Sequence, residues 1–218
     1  MHPKLEQFIQ ILETESRADA LAFIMDIYQH DGTSFIDVYE HLLTPALNQM
    51  VPTDNENIDI WNEHIRTSIV KTIVENSYPY VVQARRERGI DRSETIAILT
   101  PPEEFHSVGA RMVKDVFTYL GYHSVFVGGN TPLRVLQAGM AGRRIDYVAI
   151  SISNPYHLIS TRDMIRVIRE QSPDVKIIVG GNAIQRLGDK VAALEADHVL
   201  RNIDELVALA GGHHETGL

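Results

Sequence analysis

Short apolar segments alternate with helical patterns from about residue 95 to residue 200, and this rhythm most restricts how the chain can fold. The helical patterns cover residues 110–120, 132–143, 160–171 and 182–194. The apolar segments, which are rich in Val and Ile, cover residues 95–99, 123–127, 146–151, 175–179 and 198–200. Short strands that alternate with helices form parallel sheets with helices on both faces. We therefore predict an α/β domain with a doubly wound, five-stranded parallel sheet.

The preceding part of the chain lacks this rhythm. Apolar residues recur there at steps of three and four, at Leu5, Phe8, Ile9 and Leu12 and again at Leu21, Ile24, Met25 and Tyr28. Ser34 suits the N-cap of a third helix that bends or restarts at Pro45, and a long helix is expected over about residues 58–88. We therefore expect an N-terminal four- to five-helix bundle at residues 1–90, followed by a flavodoxin-like sheet domain at residues 91–218.

Unusual loops follow three of the predicted strands. Ligands of doubly wound folds bind beyond the carboxyl ends of the strands. The loop after the first strand contains Glu104, His106, Ser107 and Gly109; the loop after the third contains Ser151, Ser153, Tyr156 and His157; the loop after the fourth contains Gly180, Gly181 and Asn182. A histidine in such a loop can serve as a fixed metal ligand. A glycine pair lets a ligand or another chain segment approach the backbone.

Composition removes several classes of function. The 218 residues carry a formal charge of −9 and include no cysteine. Direct binding of nucleic acid is not expected, because such binding needs a surplus of Lys and Arg to displace counterions from phosphates. No apolar run approaches the roughly 20 residues of a membrane span, and no signal-peptide core is visible, so we expect a cytoplasmic protein. Any bound metal must be held by histidine or carboxylate.

The three loops together resemble the signature of cobalamin-binding domains, which is usually written DxHxxG, SxL or SxT, and GG. In this chain the pattern is Glu104-x-His106-x-x-Gly109, then 41 intervening residues to Ser151-x-Ser153, then 26 more to Gly180-Gly181. The segment 128–132 also resembles the loop after the second strand in that family. The resemblance spans about residues 94–210. It departs from the usual pattern where Glu104 replaces the Asp.

The resemblance implies how the cofactor is held. In such domains the dimethylbenzimidazole tail leaves the cobalt and enters a slot between the sheet and the helices. His106 is then the expected lower axial ligand of cobalt through Nε2, and Glu104 the acceptor of its Nδ1 proton. The tail slot is expected at Ser151, Ser153, Gly180 and Gly181, and further cofactor contacts at Ser107, Gly109, Tyr156 and Asn182. Alternatively, Glu104 caps the following helix and His106 is an ordinary loop residue. His157 is a further candidate for contact with a bound group.

A second segment, Trp61-Asn62-Glu63-His64, resembles the helical cap of light-responsive adenosylcobalamin regulators and of the photocobilins. By that resemblance Glu63 and His64 face the upper side of the corrin and contact its adenosyl group. Trp61 lies three residues before His64 and shares its helix face. The tryptophan that the family carries about ten residues upstream is absent here. Trp61 can equally be a core aromatic residue.

These resemblances lead to one main functional hypothesis. The chain is expected to be a stand-alone photoreceptor or sensor rather than an enzyme. Light would change the Co–C bond of adenosylcobalamin, shift the bundle against the sheet domain and alter binding of a protein partner on another chain. Biliverdin is a candidate second chromophore, and a light-dependent homodimer is a candidate assembly.

Three other interpretations remain open. The first is a corrinoid carrier that shuttles methyl groups between methyltransferases, which uses the same cobalamin site but needs no adenosyl pocket. The second is the cobalamin subunit of a mutase, although such domains usually lack an N-terminal bundle. The third is a nucleotide-binding flavodoxin-like domain, which predicts no cobalamin binding at all.

Overall fold

The computed structural model describes residues 3–211 and divides them into two compact units. The first unit comprises residues 3–83 and the second comprises residues 84–211. The division falls within the last helix of the first half, before the predicted boundary at residue 90. None of the helices described here combines the length and the apolar character that a bilayer-spanning segment needs. The sequence places His213-His214 in a Gly-rich tail, which lies outside the described residues.

The first unit is entirely helical over the described residues. Its elements are α1 (Pro3–Glu13), α2 (Arg17–His30), α3 (Phe35–Val38), a π-helical turn (Tyr39–Leu43), α4 (Thr44–Asn48) and α5 (Glu56–Arg88), which continues into the second unit. Ser34 caps α3 as predicted, since its hydroxyl accepts the amide hydrogen of Asp37. The unit is held by fully buried apolar side chains, among them Phe8, Ile24, Tyr39, Leu42 and Ile73.

The predicted bend at Pro45 takes the form of a widened helical turn. Proline has no amide hydrogen, and its ring collides with the carbonyl group four residues earlier in a regular helix. The turn before Pro45 is instead π-helical, and the amide of Thr44 donates to the carbonyl of Tyr39, five residues back. The chain therefore passes the proline without leaving the helical path.

The second unit is built on a five-stranded parallel sheet with strand order β2-β1-β3-β4-β5, which confirms the predicted fold class. The strands are β1 (Thr95–Leu99), β2 (His123–Gly128), β3 (Tyr147–Ser151), β4 (Lys176–Gly180) and β5 (His198–Val199). The helices that alternate with them are α6 (Val108–Tyr119), α7 (Leu133–Gly142), α8 (Leu158–Gln171), α9 (Ala183–Leu187) and α10 (Ile203–Leu209). Buried Val and Ile residues of β1, β3 and β4 form the centre of this unit.

Two helical predictions for the second unit were incomplete. The predicted helix at 182–194 ends at Leu187, because Gly188 adopts a positive φ of 52° and a 3₁₀ segment, Gly188–Leu194, follows. The short helix α10 was missed. Its start carries ordinary signals, since the Asn202 side chain accepts the amide hydrogen of Glu205 and acidic residues occupy the first turn.

The register of the strands determines where the loops begin. Leu99 pairs with Gly128, and Ser151 pairs with Gly180. Because these residues stand at the carboxyl ends of parallel strands, the loops that follow leave the sheet at one common edge. The predicted binding loops are therefore neighbours in space.

Candidate functional site

The centre of this edge is the buried carboxylate of Glu104, whose exposed fraction is 0%. One oxygen, Oε1, accepts hydrogen bonds from the ring Nδ1 of His106 at 2.6 Å and from the backbone amide of His106 at 3.0 Å. The other, Oε2, accepts the backbone amides of Ser153 and Asn154, each at 3.0 Å. Glu104 therefore joins the loop after β1 to the loop after β3.

This bonding keeps the carboxyl group ionised and fixes one histidine nitrogen. Burial raises the pKa of Glu104, but the hydrogen bonds from the His106 ring and from the amides of His106 and Asn154 outweigh it, so the pKa lies below its ordinary value. Because Nδ1 of His106 is held by the carboxylate, Nε2 is the ring nitrogen that can bind a metal. The His106 side chain is 55% exposed. The alternative, in which Glu104 only caps the following helix, does not account for its bonds to the His106 ring and to the loop after β3.

A second group of bonds holds the Glu104 backbone in place. The Thr100 hydroxyl donates to the Glu104 carbonyl at 2.5 Å, and the amide of Asn130 donates to the same carbonyl at 2.8 Å. The Asn130 side chain accepts the amide of Glu103 at 2.7 Å. Glu103 and Asn130 both have a left-handed backbone, with φ of 69° and 49°. Sequence reasoning missed Thr100 and Asn130 as supports, although an asparagine in a turn is a known signal for this conformation.

The loop after β3 brings His157 to the same carboxylate. Its Nε2 lies 3.8 Å from Oε2 of Glu104, and its side chain is only 17% exposed. The neighbouring Tyr156, in contrast, is 89% exposed. The Ser153 hydroxyl lies 3.5 Å from the carbonyl of His106, so the two loops touch at a second point. The structure therefore brings Glu104, His106, Ser153 and His157 together.

The predicted glycines have different local surroundings. A Cβ atom on Gly109, in the first turn of α6, would meet no atom within 4 Å. A Cβ atom on Gly180 would lie 3.3 Å from the carbonyl oxygen of Leu200. Gly181 has a φ of 105°, and a Cβ atom there would lie 2.7 Å from the amide nitrogen of Ile152 and nearer still to its carbonyl oxygen. The close packing of two loops is thus sufficient reason for a glycine at position 181.

Gly181→Ala is expected to destabilise the protein by about 2–4 kcal/mol, because the new Cβ atom collides with backbone and the φ angle suits glycine alone. Urea unfolding followed by circular dichroism measures this change. The matched control is Gly188→Ala: Gly188 also has a positive φ, of 52°, but among the described residues no atom beyond its chain neighbours lies within 4 Å of the Cβ position. If the two variants lose the same stability, the collision with Ile152 is not the cause.

The other predicted residues of these loops lie at helix starts or strand ends. Ser151 is buried at the end of β3, next to Gly180. Ser107 precedes α6 and Asn182 precedes α9, and neither side chain caps its helix by a hydrogen bond. Ser107 lies close to Gly129. A Cβ atom added to Gly129 would lie 3.1 Å from the Cβ atom of Ser107.

The predicted upper-face residues lie in the first half of α5. Trp61 is 66% exposed, so its interpretation as a core aromatic residue is wrong. Glu63 accepts a bond from Nδ1 of His64 at 2.6 Å through one oxygen and from the Thr67 hydroxyl at 2.6 Å through the other. The His64 side chain is 73% exposed. This pair repeats the carboxylate–imidazole arrangement of Glu104 and His106.

Comparison with known proteins gives one family and several structures. Residues 94–213 match the family model described as "B12 binding domain". The monomethylamine corrinoid protein of Methanosarcina barkeri is similar in fold, with a TM-score of 0.76 and 15% identity over 95% of this chain and 96% of that chain. A search of curated protein sequences gave no significant match.

Two further structures were found at lower similarity. A cobalamin-binding protein from Desulfitobacterium hafniense has a TM-score of 0.47 and 16% identity, over 95% of this chain and 97% of that one. The methanol:cobalamin methyltransferase complex of Methanosarcina barkeri has a TM-score of 0.49 and 11% identity, over 99% of this chain and 82% of that one.

Proposed function

The chain belongs to the B12-binding domain family, and from that premise we propose that it is a corrinoid carrier, which holds cobalamin through His106 and presents it to a methyltransferase on another chain. Cobalamin supplies a Co–C bond whose carbon group can be transferred to an acceptor. The residues of this chain hold and orient the group, while the substrate and acceptor sites belong to the partner.

One observation carries the proposal: a buried carboxylate binds Nδ1 of the His106 ring, so that a metal would be held through Nε2. A single imidazole suffices as protein ligand only for a metal that brings its other ligands with it, as iron does in haem and cobalt does in a corrin. The second oxygen of Glu104 accepts two backbone amides of the loop after β3, so two loops of the sheet domain hold the carboxylate that orients the ring. The residues present therefore fit a cobalamin, which would be held by the His106 ring with Glu104 as the partner that orients it.

The surrounding loops also suit the tail of the cofactor. Gly109 leaves open space three residues after the proposed ligand, and no contact among the described residues requires a glycine there. Ser151 at the end of β3 and Ser153 in the loop that follows both have small polar side chains, and Gly180 ends the next strand. We propose that these residues, together with Ser107 and Asn182, line the tail slot. Tyr156, being almost fully exposed, is proposed to contact the cofactor only at its edge.

The choice of a carrier is supported by the extent of the fold likeness. The likeness to the monomethylamine corrinoid protein covers nearly all of both chains, and thus includes residues of both units. That protein's name describes it as a corrinoid protein. A carrier also needs a protein partner, as the sequence analysis expected, and needs no light-dependent homodimer.

A comparison of two cofactors tests this proposal. The purified protein is titrated in the dark with methylcobalamin and with adenosylcobalamin, and binding is followed by absorption. A carrier is expected to bind methylcobalamin at least as tightly as adenosylcobalamin, and to lose the methyl group to a thiol or folate acceptor when a cobalamin-dependent methyltransferase is added. A strong preference for adenosylcobalamin, with no methyl transfer, would contradict the proposal that the protein is a corrinoid carrier.

The light sensor is the second candidate, and the exposed group on α5 favours it. His64 is oriented by Glu63, which is in turn fixed by Thr67, and Trp61 is exposed in the same helix. Illumination of the adenosylcobalamin complex would then change its elution volume in gel filtration, and His64→Ala would reduce that change. Addition of biliverdin in the same experiment tests the second chromophore through its red absorption. Identical elution in the dark and in light contradicts the sensor.

A further inference from the structure

The start of α5 carries an apolar stripe that the described residues of the chain do not bury. Ile58, Trp61 and Ile65 follow each other at steps of three and four residues, so their side chains lie on one side of the helix. Ile58 is 48% exposed and Trp61 is 66% exposed, and the first buried residue of α5 is Ile69. Helices of globular proteins are normally stabilised by burial of such a stripe. This stripe is therefore available to a partner.

Hydrogen bonds hold the backbone of this exposed segment in place. The Asn55 side chain accepts the amide hydrogens of Asn57 at 3.1 Å and of Ile58 at 3.4 Å, which caps the helix. The Asp59 carboxylate accepts the amide of Thr53 at 2.8 Å and ties the preceding loop to the helix. A surface that is fixed before binding loses little conformational entropy when a partner docks. The start of α5 therefore suits a preformed docking surface.

The charge of the first unit restricts which partner fits. Residues 1–83 contain 13 acidic and 4 basic residues, so they carry the whole formal charge of −9, whereas residues 84–218 contain 16 of each. No Lys or Arg occurs between Arg17 and Arg66, and the stripe begins inside that stretch. A negative field of this extent attracts proteins with a basic surface and speeds their encounter.

Exposed carboxylates also occur close to the stripe along the chain. Asp54 and Glu56 precede Ile58 by four and two residues, and both are exposed. The first basic residue after them, Arg66, is partly buried and donates to the carbonyl of Ala46 at 3.1 Å. A partner with Lys and Arg around an apolar pocket complements this surface, whereas the same acidic surface of a second copy is repelled.

We propose that the stripe formed by Ile58, Trp61 and Ile65 is the docking surface for the methyltransferase, and that this partner presents an apolar pocket for Trp61 bordered by basic residues. The inference rests on the proposed carrier function, because it concerns the partner that a carrier needs. Tryptophan is enriched among the interface residues that contribute most to binding, since it buries a large area and has few rotatable bonds. In a carrier, Trp61 contacts the partner and not the cofactor.

A kinetic test uses the full chain loaded with methylcobalamin, a cobalamin-dependent methyltransferase and a thiol acceptor. Trp61→Ala is expected to raise the KM for the carrier at least about tenfold with kcat unchanged, because the substitution weakens docking and not the chemistry. Its cobalamin affinity and histidine-ligated spectrum should equal those of the wild type. The matched control is Tyr78→Ala, which truncates another exposed aromatic residue of α5 and should behave as the wild type.

A charge reversal tests the sign of the partner's surface. Asp54→Lys is expected to raise the same KM about threefold at low ionic strength, and the difference should vanish at about 1 M salt, where charges are screened beyond about 3 Å. Glu170→Lys changes the net charge equally but lies on α8, so it should leave the KM near the wild-type value. A lower KM for Asp54→Lys means that the partner's surface is acidic, which overturns the proposal.

The wild-type protein reports docking directly, because Trp61 is its single tryptophan. Protein that contains 5-fluorotryptophan gives one ¹⁹F resonance. Titration with unlabelled methyltransferase is expected to shift or broaden this resonance as the ring leaves water. An unchanged resonance, at methyltransferase concentrations that saturate methyl transfer, overturns the inference.

The outcomes separate this inference from the function on which it rests. If the wild type transfers no methyl group, the carrier proposal fails and the docking surface fails with it. If the wild type transfers the group and Trp61→Ala does so with an unchanged KM, only the docking surface is overturned. If Trp61→Ala weakens binding of adenosylcobalamin, the cofactor covers the stripe, and if it converts a wild-type dimer into a monomer, a second copy does. Either of these results also overturns the inference.

Discussion

His106→Ala is expected to remove the histidine-ligated absorption spectrum of bound cobalamin and to weaken binding by about 100-fold or more. Loss of a residue that merely orients a metal ligand costs about 10–100-fold in affinity, so loss of the ligand itself should cost at least the upper value. The loss of stability should be limited to about 1–3 kcal/mol, which is the cost of one lost hydrogen bond to the buried Glu104 carboxylate, because the His106 side chain is more than half exposed and its removal leaves no apolar cavity. Titration with hydroxocobalamin, followed by absorption, measures both effects.

The control for this variant is His123→Ala. His123 is exposed at the start of β2, whereas His106 follows the carboxyl end of β1. The control should keep the wild-type spectrum and affinity. If His106→Ala also keeps them, the lower ligand is another group, and the interpretation of Glu104 as its orienting partner is wrong.

Glu104→Ala should have the largest effect on stability. The substitution removes the acceptor for four hydrogen bonds, three of them from backbone amides, at a carboxylate that is completely buried. Each buried donor left without a partner costs about 1–3 kcal/mol, so a loss of at least about 3 kcal/mol is expected even if water reaches some of them. Urea unfolding measures this loss.

Glu104→Asp separates the two tasks of this residue. The shorter side chain can bond His106 or the amides of Ser153 and Asn154, but it does not span both loops as glutamate does. We expect Glu104→Asp to keep the histidine-ligated spectrum and to lose about 1–3 kcal/mol of stability. If Glu104→Asp is as stable as the wild type, the link between the two loops contributes nothing, and the role given to Glu104 is limited to His106.

Much of the sheet domain follows from local patterns. The predicted strand at Thr95–Leu99 has the observed bounds, and the other strands differ by one residue at most at either end. Buried parallel strands can be predicted from sequence because each one is a short, nearly continuous apolar run that is bounded by loop residues. The division of the helix at Leu187 was not predicted, because the left-handed conformation of Gly188 depends on surroundings that an isolated glycine does not reveal.

The site was readable only in part. Residue types and spacing selected Glu104, His106, Ser153 and the glycines as candidates, but they could not show that Glu104 bonds backbone amides about 50 residues away. A backbone amide has no sequence signature, so the second task of the glutamate is visible only in the fold. The same is true of Gly181, whose neighbour is the backbone of Ile152. For Trp61 the sequence pattern was misleading. Its spacing from the neighbouring apolar residues of the helix agreed with a core position, but the side chain is exposed.

The most direct test of cobalt ligation by His106 is electron paramagnetic resonance of bound cobalamin reduced to its Co(II) state. The unpaired electron couples to the axial nitrogen, which splits the cobalt lines into triplets for ¹⁴N and doublets for ¹⁵N. Protein labelled with ¹⁵N only in histidine, and loaded with unlabelled cobalamin, is predicted to give doublets, and His106→Ala is predicted to lose them. Triplets in the labelled protein would show that the cofactor's own dimethylbenzimidazole remains on cobalt, which contradicts ligation by His106.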